Sequence, residues 1–357
     1  MKQLTRNFSF KKSAARLVGW LIVAAFVAVA IFADFFAPYD YRQQSRGEPS
    51  SPATTVTFRD LDGAVRLRPA VYARLLTDPL RLIYNDDPSR TFPIEFFVRG
   101  ASYDLLGIFT TDIHLFGVVG EDAPRLNLLG TDNLGRDRLS RLLHAIRFSL
   151  IVCTLGVFLA CLIGVLIGIV SGYSGRLVDT ALMGVSDAML ALPTLILILA
   201  ARAAFPLELP PIRAASLLLL IFALTGWAEM ARLTRGLVVA AREREFVLAA
   251  ISSGLTNTRI LFRHILPNIL PPLVTQALLM LPAFLLAEIA LSYLGVGVQE
   301  PEASLGNMLS AASDLSLLRS QPFAVLSPAI VIFVFVLAIR LLSEKKTRSA
   351  SDGISPL

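Results

Sequence analysis

Six long apolar blocks punctuate the chain, at residues 17–37, 148–170, 181–201, 214–230, 269–291 and 323–342. Each approaches the ~20 residues that a helix needs to cross the hydrocarbon of a bilayer. The pattern predicts six transmembrane helices, the third and fourth joined by a short loop crowded with Arg202, Pro206, Pro210 and Pro211. Between the first two blocks, residues 41–124 have a different texture. The stretch "TTVTFRDLDGAVRLRPAV" alternates about Asp62-Gly63, a hairpin signal, and "RTFPIEFFVRG" reads as a further strand. Residues 38–127 are therefore expected to form a small β-containing insert outside the membrane; an ordered loop without a role fits the same pattern.

The approach to the second block, "NLLGTDNLGRDRLSRLLHAIRFSL", places Leu139, Leu142, Leu143 and Ile146 on one helical face, with Arg138, Arg141 and Arg147 elsewhere. Residues 128–147 are read as an amphipathic entry helix lying on the outer membrane surface. The turn before it uses Gly130 and Gly135, with Thr131 or Asp132 as cap.

A polar interruption, "EREFVLAAISSGLTNTRILFRHILPN" at 243–268, separates the fourth and fifth blocks. Leu233, Leu237, Ala240, Val247 and Ile251 continue the helical stripe of the fourth span as far as Gly254, a residue suited to a left-handed C-terminal cap. Thr256 or Asn257 can start a second, short helix with Leu261, Phe262, Ile265 and Leu266 on one side and Arg259 and Arg263 on another. Pro267 is expected to stop it, and Pro271 and Pro272 to sit in the first turn of the fifth span. Such a helix is either a handle for a partner protein or an element resting on lipid. Its pattern alone does not separate the two.

Composition agrees with the blocks. The 357 residues are 55% hydrophobic and 17% charged, against about 25% charged in soluble domains, and mean hydropathy is +0.65. The first block is long for a signal peptide and no small-residue cleavage site precedes Pro38, so an uncleaved anchor is expected. The lysines lie at the two chain ends, and Arg232, Arg235, Arg242, Arg244, Arg259 and Arg263 crowd the interruption. By the positive-inside rule, both termini and the interruption face the cytoplasm. The net charge of +6 sits on that face, the insert being slightly acidic.

Candidate chemistry is sparse. Cys153 and Cys161 lie about 12 Å apart on one helix, too far to bridge, and are read as apolar packing. The three histidines are scattered, so no metal set is expected. The chain has no phosphate-cradling G-x-x-x-x-G-K-[ST] motif and no nucleophile–base constellation, and it is read as a non-enzyme without cofactor. Asp187 and Glu229 are placed near span ends, reaching the interface. Glu288 lies deeper, as a candidate pathway residue or as an outer-end group bonded to a neighbouring helix.

Residues 243–268 resemble the EAA loop of bacterial ABC-importer permeases, matching at Ala249, Ala250, Gly254, Ile265, Leu266, Pro267 and Asn268. "LLGTDNLGRDRLSRLLHAIRFSL", "GYSGRLVD", "LALPTLIL", "ARLTRG", "AEIALSYLGVGVQEPEASLGNML" and the early "FADFFAPYD" resemble the second permease subunit of the dipeptide/oligopeptide/nickel branch. The resemblance implies an all-α polytopic fold of type I ABC-importer permease kind, with six transmembrane helices and the β-containing extracytoplasmic insert. In that reading residues 1–16 are a cytoplasmic arm, 17–37 the first transmembrane helix, 148–342 a five-helix core containing the loop at 243–268, and 343–357 a cytoplasmic tail. It further implies a bacterial inner-membrane subunit that forms a path for peptides, nickel complexes, opines or glycosides with a homologous sister permease. Two cytoplasmic ATPases hydrolyse ATP, and an extracytoplasmic binding protein delivers substrate. Lipid surrounds the chain and nucleic acid has no part. Ala249, Ala250, Gly254, Asn257, Arg259, Leu261, Phe262, Ile265, Leu266 and Pro267 are the expected ATPase-coupling residues.

The chain departs from the family pattern at Leu248, where the glutamate of E-A-A is expected, at Ile251 in place of an arginine, at Leu305 in place of a tryptophan, and in its C-terminal "RLLSEKKTR". Two rival readings stand beside it. A secondary transporter or channel would carry its own ion site in broken helices of inverted repeats, neither of which is visible in the sequence. A membrane-anchored receptor or scaffold would account for the insert but not for the EAA-like loop.

Overall fold

The computed structural model describes residues 2–59, 65–105, 108–120, 123–206 and 209–343. The expected turn at Asp62-Gly63 and the basic residues Lys345, Lys346 and Arg348 lie outside the described residues. The first apolar block forms α1 (Lys2–Ile31), which includes the basic arm, and α2 (Ala33–Phe36) follows after Phe32 leaves helical geometry. The insert is a sheet of β1 (Val56–Arg59), β2 (Val65–Asp78), β3 (Ile83–Leu105) and β4 (Phe109–Val118), antiparallel and in chain order. Val71 faces Phe92 across β2 and β3, and Phe96 faces Phe116 across β3 and β4. Val71, Ile94 and Leu126 form its small core. His114 of β4 seats the sheet on α2: its ring lies 2.6 Å from the Ala37 carbonyl, 3.0 Å from that of Asp34 and 3.0 Å from that of Ala101.

The second apolar block belongs to α3 (Arg138–Tyr173), a single helix of 36 residues and about 54 Å. It exceeds the ~30 Å hydrocarbon thickness, so its first turns stand outside the membrane as part of the spanning helix. This corrects the expectation of a separate surface helix over 128–147. Arg138 and Arg141 are buried rather than turned to solvent: Arg138 donates to the Thr131 carbonyl and Arg141 to Glu300, while the polypeptide at 45–51 bonds to the turn just before them. Ser45 N–H donates to the Gly135 carbonyl, Ser50 N–H to that of Asp132, and Thr131 N–H to that of Ser51. Gly130 and Gly135 hold left-handed backbone as expected, at φ +71° and +73°. A Cβ at Gly135 would lie 1.9 Å from the Ser45 carbonyl oxygen.

The cap of α3 is Asp137, not Thr131 or Asp132. Its carboxylate accepts from the Ser140 N–H and hydroxyl at 2.7 Å each. Burial pushes the Asp137 carboxyl up to about 6, against those two bonds, which favour the charged form. A folded-state value above the unfolded one means that ionisation penalises the folded protein. The penalty is absent below pH ~4 and complete above pH ~6. Asp137→Asn keeps an oxygen for Ser140 without the charge. Its stability relative to the native chain should therefore rise between pH 4 and pH 6 and then level off in detergent thermal melts. Asp137→Ala should lose about 1–2 kcal/mol below pH ~4, through loss of the cap, and the deficit should shrink between pH 4 and pH 6 because it too lacks the charge.

The core is α3 packed along α6 (Pro211–Arg242), with α9 (Leu266–Tyr293) and α12 (Pro322–Ser343) completing it. Gly156, Ala160, Gly164, Gly168 and Gly172 recur every four residues on the face of α3 turned to α6. A Cβ at Gly164 would lie 2.6 Å from the Trp227 carbonyl oxygen, and one at Gly168 2.5 Å from that of Ala231. The helices meet backbone to backbone, the small-residue packing that membrane helices use where no hydrophobic force distinguishes protein from lipid. α1 packs on α12, with Phe26 and Phe335 edge to face at 5.3 Å.

The third expected span is broken. α4 (Arg176–Ala191) and α5 (Thr194–Ala203) meet at 90°. Pro193 carries no N–H, and it holds Leu192 in extended geometry, φ −94° and ψ 137°. Five helices are long and apolar enough to span among the described residues, or six spans if the bent pair is one. The fourth span also differs, because its helix ends at Arg242 and a new one, α7 (Glu245–Ser252), starts after a turn at Glu243 and Arg244.

Candidate functional site

Gly254 ends α7 as its position predicts. At φ +74°, its N–H bonds to the Ile251 carbonyl at 2.9 Å, and the Leu255 N–H reaches back to that of Ala250 at 3.2 Å. This is the pair of bonds of a Schellman cap. Thr256 is the N-cap of α8 (Asn257–Ile260), without a side-chain bond. Pro267 does not stop the next helix. A π turn over Leu261–Ile265 joins α8 to α9 without a break, the Leu266 N–H reaching the Leu261 carbonyl five residues back. The widened turn leaves Pro267 in the opening turn of α9, where a missing N–H costs nothing, and puts Pro271 and Pro272 in the helix interior. The expected short helix is thus the beginning of one continuous helix with α9.

The predicted coupling residues sort by burial. Ile265 and Ala250 are buried against the core, and Leu261 and Leu266 are half-buried. Ala249, Gly254, Asn257, Arg259, Phe262 and Pro267 are exposed. Phe262 is 61% exposed, Leu248 51%, Ile251 52% and Phe246 43%. Val247 faces inward, so Leu248 shares its face with Ile251 alone, one turn on. Two clefts flank this apolar edge. One, of about 340 Å³, lies between Ile169, Val170 and Tyr173 of α3 and Asn257, Thr258 and Leu261. The other, of about 810 Å³, opens between the α6–α7 turn and the base of α9 at Asn268 and Ile269.

Elsewhere, polar contacts latch one sequence motif to another. In "GYSGRLVD" and "ARLTRG", Asp179 of α4 pairs with Arg235 of α6 at 2.6 Å. Arg242 donates to the Gly172 carbonyl at 2.8 Å and lies over the Tyr173 ring. Glu288 of "AEIALSYLG" is fully buried and accepts from Ser149 of α3 at 3.0 Å and from Ser292 at 2.8 Å.

Sequence reasoning missed the outer cluster. After α9 the chain turns at Gly295 and runs to α10 (Leu305–Leu309), which is capped reciprocally by Ser304 and Asn307. A single turn over Ser310–Ser313 and α11 (Leu315–Ser320) lead on to α12. Glu300 of this segment receives Arg136 at 2.5 Å and Arg141 at 2.9 Å, and Arg136 also holds Asp132 at 2.7 Å. A cavity of about 320 Å³ beside it is lined by Asp132, Arg136, Arg138, Arg141, Glu300 and Asp314, among others. The acidic and basic residues were visible in the sequence; their 159-residue separation from Arg141 to Glu300 hid the pairing.

Comparison with known proteins gives the family. The model described as binding-protein-dependent transport system inner membrane component matches residues 164–345, and that of the N-terminal TM domain of oligopeptide transport permease C matches residues 6–52. The dipeptide transport system permease protein DppC of Alkalihalophilus pseudofirmus is 36% identical over 215 residues, 60% of this chain and 68% of that one. The di/tripeptide transport system permease protein DppC of Pseudomonas aeruginosa is 36% identical over 217 residues, 61% of this chain and 69% of that one. A Brucella suis biovar 1 protein is 36% identical over 306 residues, 85% of this chain and 93% of that one. With its broken helix, its backbone-packed core and half its length inside the family model, the chain belongs to the binding-protein-dependent transport system inner membrane components.

Proposed function

We propose that this chain is the permease subunit of an ATP-driven importer of short peptides. It forms the translocation path with a homologous permease and receives substrate from an extracytoplasmic binding protein. Both termini and the α7–α9 junction face the cytoplasm, where two ATPase subunits bind and hydrolyse ATP. The observation that carries the reading is the exposure of Phe246, Leu248, Ile251 and Phe262 on the two helical segments either side of the Gly254 reversal, beside a charged loop. A short loop resting in water has no reason to expose four large apolar side chains, whereas a docking region does. The peptide follows from the relatives, which are dipeptide and di/tripeptide permeases.

The mechanism follows from how rigidly that edge is tied to the core. α8, the π turn and α9 are continuous, and Ile265 and Ile260 are buried in the same cluster as α3 and α6. A push on Phe262 is transmitted along α9 as a lever rather than absorbed by a hinge. Closure of the ATPases therefore tilts α9 and opens the path by rigid-body movement. Glu288, tied to α3 through Ser149, serves that lever as a joint between helices; its carboxylate faces serines rather than a cavity. The sheet of residues 56–118 seats the binding protein or the sister permease on the outer side.

Of the rivals, a secondary transporter gains a feature that the sequence did not reveal, the break between α4 and α5. That break is Leu192-Pro193 and carries no charged side chain of its own, so it supplies a bend and not an ion site. Gly254→Val tests the coupling. Nothing lies within 4 Å of an added Cβ there, so the substitution acts only through the left-handed backbone, at a cost of about 1–2 kcal/mol. Membrane insertion should be normal and substrate-stimulated ATP hydrolysis by the complex should fall severalfold. Unchanged stimulation would count against this surface as the coupling site.

A further inference from the structure

The outer cluster does more than tie two segments together. Arg136, Arg138 and Arg141 all line the cavity of about 320 Å³, and they are only 4%, 4% and 3% exposed. Basic side chains are almost never so covered unless they are paired. Two of the three are. Arg136 donates to Asp132 at 2.7 Å and to Glu300 at 2.5 Å, and Arg141 donates to both oxygens of Glu300 at 2.9 and 3.1 Å. Arg138 differs. Its Nε–H donates to the Thr131 carbonyl at 2.9 Å, and among the described residues its two terminal nitrogens meet no acceptor and it joins no ion pair.

The carboxylates of the lining are engaged elsewhere. Asp132 accepts from the N–H groups of Leu134 and Arg136 on Oδ1 and holds Arg136 on Oδ2, with Arg141 a further 3.7 Å away. Glu300 holds two arginines. Asp314 is exposed, and its Oδ1 caps α11 by accepting the N–H groups of Ser316 and Leu317. Charge in the lining is therefore divided by depth. Three guanidiniums form the buried floor, whereas the side chain of Glu300 is 53% exposed and Asp314 stands at the rim. A charge buried without a counter-charge penalises the structure, and a ligand that supplies the counter-charge removes the penalty.

We propose that this cavity is a binding site for the carboxylate of a small organic acid, which the two terminal nitrogens of Arg138 take as a planar fork. The inference goes beyond peptide import and does not depend on it. A single charge fits best. One guanidinium is open, and a sulfate or phosphate would set its second negative charge against Asp132 and Glu300. The volume lies within the range of small-ligand pockets, and Met308 and Leu317 give the body of the acid an apolar wall. A free monocarboxylic acid and the C-terminus of a short peptide present the same group. The acidic side chain of a docked protein is less suited, because it would have to reach a guanidinium that is almost wholly covered.

The test is binding without transport. Both permeases and the ATPases are purified together in detergent, without ATP or binding protein, and ligand-observed NMR titrations are run at constant ionic strength. The probes are propionate, glycylglycine, glycylglycine amide and sulfate. Propionate or glycylglycine should bind saturably, and the amide and sulfate about tenfold more weakly or worse, the scale of one lost charge-assisted bond. Arg138→Gln should weaken binding about tenfold or more, and Arg138→Lys less. Ala311→Trp keeps all three arginines and fills the cavity from its lining, so it should block binding, and it decides the matter if Arg138→Gln does not fold. Propionate held as tightly as glycylglycine assigns the site to free monocarboxylic acids; glycylglycine held tenfold tighter assigns it to peptide ends. Equal binding of glycylglycine and its amide overturns the site, as does native-like binding by folded Arg138→Gln or Ala311→Trp. Failure of every probe to bind the native complex also overturns it. If Arg138→Gln then loses association with the binding protein, the occupant is a protein side chain. A native complex that takes up no peptide fails the importer reading and leaves these titrations unaffected.

Discussion

Leu248→Glu should cost the permease most of its ATPase: assembly falls by ten- to a hundredfold, with the membrane domain still folded. Leu248 and Ile251 stand one turn apart on α7, each about half exposed, and Phe246 and Phe262 are exposed on the same segment, proposed to face the cytoplasm. Covering large apolar side chains stabilises a contact by about 1.5–3 kcal/mol each. A carboxylate placed among them loses that gain and adds an unpaired charge at the contact. The family's glutamate is absent at this position, and on the proposed reading the partner presents an apolar contact there rather than a cation. Glu245→Gln is the control. Glu245 is exposed, and a surface ion pair contributes only about 0–1 kcal/mol. Copurification of the ATPases with tagged permease reads both. If Glu245→Gln abolishes coupling and Leu248→Glu is silent, the charge has been displaced and the contact is ionic.

Gly168→Val should be the most damaging single change in the membrane core, lowering stability by about 3 kcal/mol or more. Its Cβ would lie 2.5 Å from the Ala231 carbonyl oxygen, 2.6 Å from the Thr234 Cβ and 3.0 Å from the Arg235 nitrogen. Two of those atoms are backbone inside a helix and cannot step aside, so α3 and α6 must separate. The separation also strains the Asp179 site, which Ser171 of α3 and Arg235 of α6 hold from two sides. Thermal unfolding in detergent should show a large drop for Gly168→Val and little change for Gly184→Ala or Gly236→Ala, where the added methyl meets nothing.

What could be read from the sequence is what depends on local pattern. Five of the six apolar blocks lie on helices long enough to span and the third is a bent pair, Gly130, Gly135 and Gly254 hold the left-handed backbone that their positions demand, and the insert is antiparallel sheet. The errors share a cause: hydropathy marks where lipid lies, not where a helix stops. Residues 138–147 and 231–242 are too polar to look like spans, yet they continue the helices beside them, with Arg141 paired to Glu300 and Arg232 and Arg235 paired to Asp187 and Asp179. Pro193 and Pro267 look alike in sequence. One breaks a span because an extended residue precedes it, and the other is absorbed by a π turn. Among the site residues, the exposed Phe262 and the buried Ile265 follow helical spacing. The Arg232–Asp187 contact does not, because only the packing of α4 on α6 sets it.

Uptake by the reconstituted complex tests the central claim most directly. Permease pair, ATPases and binding protein are placed in sealed vesicles, with ATP on the cytoplasmic side and labelled short peptides on the other. Accumulation of peptide should require ATP, its hydrolysis and the binding protein together, and should be indifferent to collapse of ion gradients. Peptide accumulation driven by an ion gradient without ATP would contradict the account.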